Sequence, residues 1–307
     1  MKEKEVSDIK KTEYAGVMMV LTAAIVLFAA ILHWALKPVT WTLIQYPDAT
    51  DTQGLFYSIK NDKTGEFVII DGGWEGNETQ VRNVILNNGG IVDHWFITHF
   101  HADHVGAFNR IYYEPGNIKI KNIYCPDPDL DMYLEKAEWW DEPQFYTAFK
   151  QITDGDKRIK HPKRGEEFNA AGLKVKIFNT FDKTLLDTLN PESQDLLNNT
   201  SLVFKLSGKE DSIIYFGDVH NAEMADYLTR EFKDDMSATY IQLGHHGNNS
   251  LPVEFYESIA PKVAFFDAPE WLMTGGDYNC GWYVFKFDEA GIEHYDYRTG
   301  VNIFKFR

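Results

Sequence analysis

Thr98-His99-Phe100-His101-Ala102-Asp103-His104 places four metal-competent side chains within six residues. Imidazole nitrogen and carboxylate oxygen form the mixed ligand set that suits zinc first, and manganese or iron after it, so a cluster this dense supplies most of two adjacent sites. A lone histidine is ordinarily a core or surface residue, but three with an aspartate at this spacing outweigh that reading. Just upstream, His94 to Thr98 is predicted as a short buried strand, and Asp103 to Asn109 as a turn leading into a helix. The cluster therefore sits where a strand ends, the place where layered α/β folds gather their ligands.

Two later segments repeat the pattern. Ser212 to Phe216 is an apolar strand ending in Gly217-Asp218, followed by a predicted helix from Asn221 to Arg230 with Met224, Ala225 and Leu228 on one face. Ala238 to Leu243 is another strand, running into Gly244-His245-His246-Gly247, whose flanking glycines are expected to let the backbone approach an ion or phosphate. Three strand tips bearing ligand-type residues point to one shared metal centre.

The ordered set Asp71-Gly72-Gly73, His99-x-His101-x-Asp103-His104, Gly217-Asp218 and His245-His246-Gly247 resembles the metallo-β-lactamase superfamily of dinuclear hydrolases over about Trp41 to Arg307. Asn198-Asn199-Thr200-Ser201-Leu202-Val203 and Leu243-Gly244-His245-His246-Gly247 are similar to the subgroup containing the ComEC extracellular hydrolase domain and phosphorylcholine esterase. The resemblance implies a four-layer αββα sandwich. It implies that His99 and His101 bind one metal, Asp103 and His104 the second, and that Asp218 bridges them. Adjacent residues leaving a strand point to opposite sides, so His246 is assigned to the second metal and His245 to the substrate, as hydrogen-bond donor or leaving-group acid. The expected catalytic set is thus Asp103, Asp218 and His245. Asp71 is read equally as an orienter of a ligand or as a structural Asp-Gly turn.

Two departures from the family pattern stand out. Many relatives supply a third histidine to the first metal, whereas His161, the one histidine between His104 and Asp218, lies in a polar surface-loop sequence. Asn198 or Asn199 occupies the corresponding stretch, leaving that metal fewer protein ligands and more open positions for substrate oxygens. Near Asn279-Cys280-Gly281-Trp282 the Gly-His-Pro turn of the ComEC-like domains is missing, so their substrate does not transfer directly.

Two cations roughly 3.5 to 4 Å apart lower the pKa of a bridging water toward neutrality and neutralise charge developing on a phosphoryl group. Two divalent metal ions, zinc first, are the cofactors expected. A small phosphoester, or a lipid- or cell-wall-linked phosphodiester, is the partner they suit.

Ala15 to Leu36 is 22 residues with no formally charged side chain, long enough to span a bilayer core of about 30 Å. A cleaved signal peptide is the competing reading, but the apolar run exceeds the usual ~7 to 15 residues and no Ala-x-Ala site follows. Lys2, Lys4, Lys10 and Lys11 precede the segment and only Lys37 follows closely, which places the N-terminus in the cytoplasm and the catalytic domain outside the cell membrane. The expected organisation is a tail at 1–13, a transmembrane signal anchor at 14–37 and one hydrolase domain at 38–307.

Cys125 and Cys280 are the only cysteines; an oxidising exterior permits a disulfide, and two free thiols are the simpler expectation. Thirty basic residues against 46 acidic ones leave a formal charge of −16, which disfavours long nucleic acids as partners. The basic stretch Lys157, Arg158, Lys160, Lys163 and Arg164 reads as a solvated loop. Between Asp127 and Glu142, seven carboxylates accompany Tyr133, Trp139 and Trp140; an aromatic cage for a quaternary ammonium competes with an acidic loop whose tryptophans pack on the core. The reading is a membrane-anchored extracellular metal-dependent phosphodiesterase or phosphoesterase, of nuclease-like or phosphorylcholine-ester type, using a metal-bridging hydroxide. A lactone or amide hydrolase, and a noncatalytic metal-stabilised surface binding module, are the alternatives.

Overall fold

The computed structural model describes residues 2–189 and 195–307, with side chains in the N-terminal segment described for Tyr14 and from Gly16 onward. The tail expected at 1–13 is thus described as backbone from Lys2, and the lysines that set the membrane orientation lie outside the described side chains. The chain divides into two units, 1–39 and 40–307.

The first unit is one helix, Lys2–Leu36, so the helix does not break at the expected tail boundary. Its segment Gly16–Leu36 has a mean hydropathy of 2.4 with none of it buried, which makes it a candidate membrane span.

The second unit carries, among the described residues, strands β1 (Trp41–Gln45), β2 (Phe56–Asn61), β3 (Phe67–Asp71), β4 (Ile91–Val92), β5 (His94–Phe96), β6 (Lys119–Ile120), β7 (Ile123–Tyr124), β8 (Ile159–Lys160), β9 (Glu167–Ala170), β10 (Leu173–Asn179), β11 (Val203–Ser207), β12 (Ser212–Tyr215), β13 (Tyr240–Gln242), β14 (Val263–Phe265), β15 (Glu293–Tyr295) and β16 (Asn302–Phe306). One seven-stranded sheet has the order β16-β1-β2-β3-β5-β7-β8 and a second the order β15-β14-β13-β12-β11-β10-β9, with β4-β6 as a small extra pair. In the first sheet β16 through β3 pair antiparallel and β3 through β8 parallel. The second repeats this grammar, antiparallel from β9 to β12 and parallel from β12 to β15. Each half thus folds alike, and the C-terminal strand β16 returns to complete the first half.

Period-2 alternation explains the layers. In β3, Val68 and Ile70 face the second sheet, where they meet a core that includes Val175, Phe204 and Tyr215. Phe67 and Ile69 face outward, onto Val81 and Ile85 of the helix Glu78–Asn87 and Val105 and Phe108 of the helix Ala102–Tyr113. Ile214 and Ile241 similarly face Met224 and Leu228 of the helix Ala222–Phe232. Strands covered on both faces read as unbroken apolar runs, as Phe67-Val68-Ile69-Ile70 does. The architecture is the expected αββα sandwich.

The two cysteines are both free and buried, Cys125 in the outer layer of the first sheet and Cys280 in that of the second. The sandwich between them excludes a disulfide. The two arginines of the basic stretch are paired locally, Arg158 with Asp156 and Arg164 with Asp182.

Candidate metal centre

The parallel strands of both sheets end at one edge, and there the site is assembled. Asp71 closes β3 with φ of 50°. Its carboxylate accepts from the Thr98 N–H at 2.7 Å and the Thr98 hydroxyl at 2.6 Å. It also lies 2.8 Å from His104 Nδ1, so the Asp71 expectation resolves in favour of orienting a ligand-type residue. Because the Thr98 proton is committed to Asp71, its oxygen accepts from His99 Nδ1 at 3.3 Å. The consequence is that both His99 and His104 hold protons on Nδ1 and turn Nε2 toward the cleft.

Asp103 and His104 occupy the first turn of the helix Ala102–Tyr113, with His101 as its N-cap. The turn expected from Asp103 to Asn109 is therefore already helix. On the other sheet, the Ser201 hydroxyl accepts from the Asp218 N–H at 3.0 Å, and the Gln242 side chain accepts from the Gly217 N–H at 3.0 Å. Leu202 N–H donates to Thr98 O at 2.7 Å, stitching the two halves beside the site.

Asp103, His104, Asp218 and His246 each bring one ligand atom into a buried group within 4.8 Å of one another. His246 Nε2 lies 3.0 Å from Asp103 Oδ2 and 3.3 Å from Asp218 Oδ2, and His104 Nε2 lies 3.2 Å from Asp218 Oδ1. His99 Nε2 is 4.0 Å from Asp218 Oδ2, so Asp218 stands between the two groups. The Nε2 atoms of His99, His104 and His246 and Oδ1 of Asp218 are buried with no hydrogen-bond partner of good geometry. Buried polar atoms left open in this way fit a divalent cation.

Electrostatics agree with that donor set. Burial alone would raise Asp218, but the His104 and His246 rings outweigh it and hold the carboxyl well below its usual range. Burial would lower His246, yet Asp218 and Asp103 push it up to about 10. His104 is likewise raised well above its ordinary value against burial, by Asp218, Asp103 and Asp71. His99 is lowered, by burial and then by the neighbouring His104 and His101. Two imidazolium charges balance the carboxylates where a metal ion would do so.

His245 does not join this group. Both histidines of the pair adopt left-handed backbone, φ 51° and 58°, so a double turn rather than strand alternation separates them. His245 Nδ1 donates to Asn248 O at 2.7 Å, and burial lowers its pKa to about 4. The flanking glycines are required by the packing of the chain itself: a Cβ on Gly244 would lie 2.1 Å from Val219 O, and one on Gly247 2.3 Å from the Phe266 ring.

The cleft above, about 310 Å³, is lined by His101, Asp103, Asp218, His245, His246 and Asn198, with Gln53, Trp74, Trp140, Glu142 and Asp195 at its walls. Asn198 faces it with Oδ1 unpartnered, whereas Asn199 accepts from the His220 N–H. His161 stands apart, against Cys125 O at 3.2 Å. Trp139 is 86% exposed and Trp140 41%, so neither packs into the core; Trp140 donates to Asp195 at 3.0 Å. Sequence reasoning passed over His220, whose Nε2 is buried and unpartnered and whose ring lies 5.3 Å from that of His245. Its spacing from Asp218 repeats the alternate spacing of the first cluster and was the available signal.

A family model of the metallo-β-lactamase superfamily matches residues 49–230, more than half of the chain. The chain belongs to the metallo-β-lactamase superfamily. Members of this superfamily are mostly metal-dependent hydrolases. Among solved structures, the metallo-β-lactamase fold protein YhfI from Bacillus subtilis is 11% identical, with a TM-score of 0.51, over 88% of this chain and 100% of its own. Igni18, a metallo hydrolase from the archaeon Ignicoccus hospitalis, is 13% identical at a TM-score of 0.50, over 87% and 99%. CmlA, a diiron β-hydroxylase from Streptomyces venezuelae, is 11% identical at a TM-score of 0.54, over 88% of this chain and 55% of its own. These likenesses share the metallo-β-lactamase fold with the chain. No curated protein matches it.

Proposed function

We propose that the chain is a membrane-anchored, extracellular phosphodiesterase or phosphoesterase with two divalent metal ions, zinc first, of the ComEC-like and phosphorylcholine-esterase-like kind. The observation that carries this reading is the buried Asp103, His104, Asp218 and His246 group, with His99 buried beside Asp218, and with His101, Asp103, Asp218 and His246 lining a polar cleft. When bound, two such ions supply Lewis acidity for phosphoryl oxygens and a water acidic enough to be deprotonated near neutral pH.

His99 and His101 would hold the first ion, Asp103, His104 and His246 the second, and Asp218 both. The first site has no third histidine, and Asn198 at its wall leaves room for substrate oxygens. A cleft of about 310 Å³ lies at the small end of ligand pockets and matches a single phosphoester group. Its walls set Gln53, Asn198, Glu142 and Asp195 beside Trp74 and Trp140, a more polar lining than the wide apolar cleft that a lactone or amide hydrolase needs.

His245 moves a proton. With Nδ1–H bonded to Asn248 O, its Nε2 carries a lone pair at neutral pH. That lone pair would accept a proton from the attacking water on its own side of phosphorus and pass it to solvent, while the departing oxygen, opposite it in an in-line displacement, takes its proton from solvent.

The test is hydrolysis of bis(p-nitrophenyl) phosphate, p-nitrophenylphosphorylcholine and a chromogenic β-lactam by the full chain. Turnover of the phosphoesters that disappears in Asp218→Ala supports the reading. Turnover of the β-lactam alone, or of none of them by the metal-loaded protein, rejects it.

A further inference from the structure

The proton positions of His99, His104 and His245 are each set by a partner of good geometry: Thr98, Asp71 and the Asn248 carbonyl. The partner of His101 comes from elsewhere, the segment 127–142 between β7 and the helix Gln144–Thr153. There Asp141 is 1% exposed. Its Oδ2 accepts from the Glu138 N–H at 2.6 Å, which fixes the carboxylate, and its Oδ1 lies 2.9 Å from His101 Nε2. Both facing atoms are buried and neither meets hydrogen-bond geometry with any partner, so the approach is close but oblique. A modest ring rotation aligns it, as such contacts tighten in a working site. Among the described residues, His101 is the one ion-pair partner of Asp141.

Tyr133 of the same segment reinforces the picture. It is fully buried with an unpartnered hydroxyl, and burial followed by the Asp141 charge pushes its phenol well above the ordinary value. The buried polar residues of this segment thus gather on the His101 side of the cleft, while Trp139 points to solvent.

We infer that Asp141 is a positioning residue for the first metal site: its carboxylate keeps the His101 proton on Nε2 and so presents Nδ1, with its lone pair, to the ion. This rests on the two-metal reading of the cleft. The pair mirrors Asp71 and His104 at the second site, with a carboxylate behind an imidazole at each site. It matters more at the first site, which has only His99, His101 and the shared Asp218.

The test uses the full chain in detergent, stripped of metal and titrated separately with Zn2+ and Co2+, for the native protein, Asp141→Ala, Asp141→Glu and Trp139→Ala. The native protein is expected to bind two ions. Asp141→Ala is expected to lose roughly 10- to 100-fold in affinity at the first site only, with altered visible Co2+ bands. Asp141→Glu recovers part of that loss, and Trp139→Ala matches the native protein. Retained affinity at the second site shows that the variants fold. Native first-site affinity and Co2+ bands in Asp141→Ala overturn the proposal alone. Equal loss at both sites in Asp141→Ala and Asp141→Glu also overturns it, as a folding effect. A native protein that binds fewer than two ions overturns the two-metal reading, and the proposal with it.

Discussion

Thr98 is neither acidic nor basic, yet its hydroxyl settles where two imidazole protons sit. Thr98→Val keeps the shape and removes the hydroxyl, leaving Asp71 short of a donor and His99 Nδ1 short of an acceptor. We expect zinc affinity to fall about 10- to 100-fold and stability by about 1 to 3 kcal/mol, read by chelator competition and urea denaturation. A second expectation concerns protons. His246 is raised to about 10, so in the metal-free protein its ion pairs stabilise the fold fully below about pH 6.5 and are lost as pH rises through about 10. The melting temperature of the metal-free protein should therefore fall over that window, while the zinc-loaded protein, which has already released these protons, changes less. Equal slopes would contradict the assignment. The ligand-type residues themselves were legible, because His99, His101, Asp103 and His104 are dense in sequence. The role of Asp71 was not, since its partner Thr98 lies 27 residues away and only the parallel pairing of β3 and β5 brings them together.

At the scale of elements, the strand tips carry the chemistry and the turns beyond them decide where it points. Alternation predicts that His245 and His246 diverge, and they do, but through two successive left-handed residues. That conformation is uncommon outside glycine and is hidden from a pattern of apolar and polar residues. Gly244 is needed because the carbonyl of Val219, between Asp218 and His220, leaves no space for a side chain. Gly244→Ala should cost about 1 to 3 kcal/mol and weaken metal binding through Asp218. Urea denaturation and zinc titration on the same variant would show both; loss of neither would contradict the packing account. Strand positions were legible from apolar runs, and their ends shifted inward by one or two residues: the strand expected at Ala238 to Leu243 is Tyr240–Gln242.

Across the whole molecule, Asp267 ties the sheets together beneath the site. It accepts from Tyr57 at 2.6 Å and from Gln45 at 2.9 Å, and burial raises its pKa to about 6. A raised carboxyl favours the fold below its unfolded value, near 4, and loses that contribution as pH rises through about 6. Between those limits the native protein should lose stability on the order of 3 kcal/mol relative to Asp267→Asn, measured by urea denaturation of metal-free protein at pH 4 and pH 7.5. A pH-independent difference would show that Asp267 is already ionised. The αββα layering and membership of a superfamily that is mostly hydrolases were readable through the family resemblance that the histidine cluster and the strand-tip motifs carry. The buried bridge from β1 and β2 to Asp267 was not, because its members are more than 200 residues apart.

The claim on which the rest depends is that loops from both halves enclose two ions around Asp218. Anomalous diffraction at the zinc edge, from crystals of the protein loaded with zinc, tests it directly. The expected result is two peaks roughly 3.5 to 4 Å apart, one among Asp103, His104 and His246, the other against His99 and His101, with Asp218 between them. Zinc bound elsewhere with none in this cleft, or a single ion that leaves His99 and His101 unengaged, would contradict it.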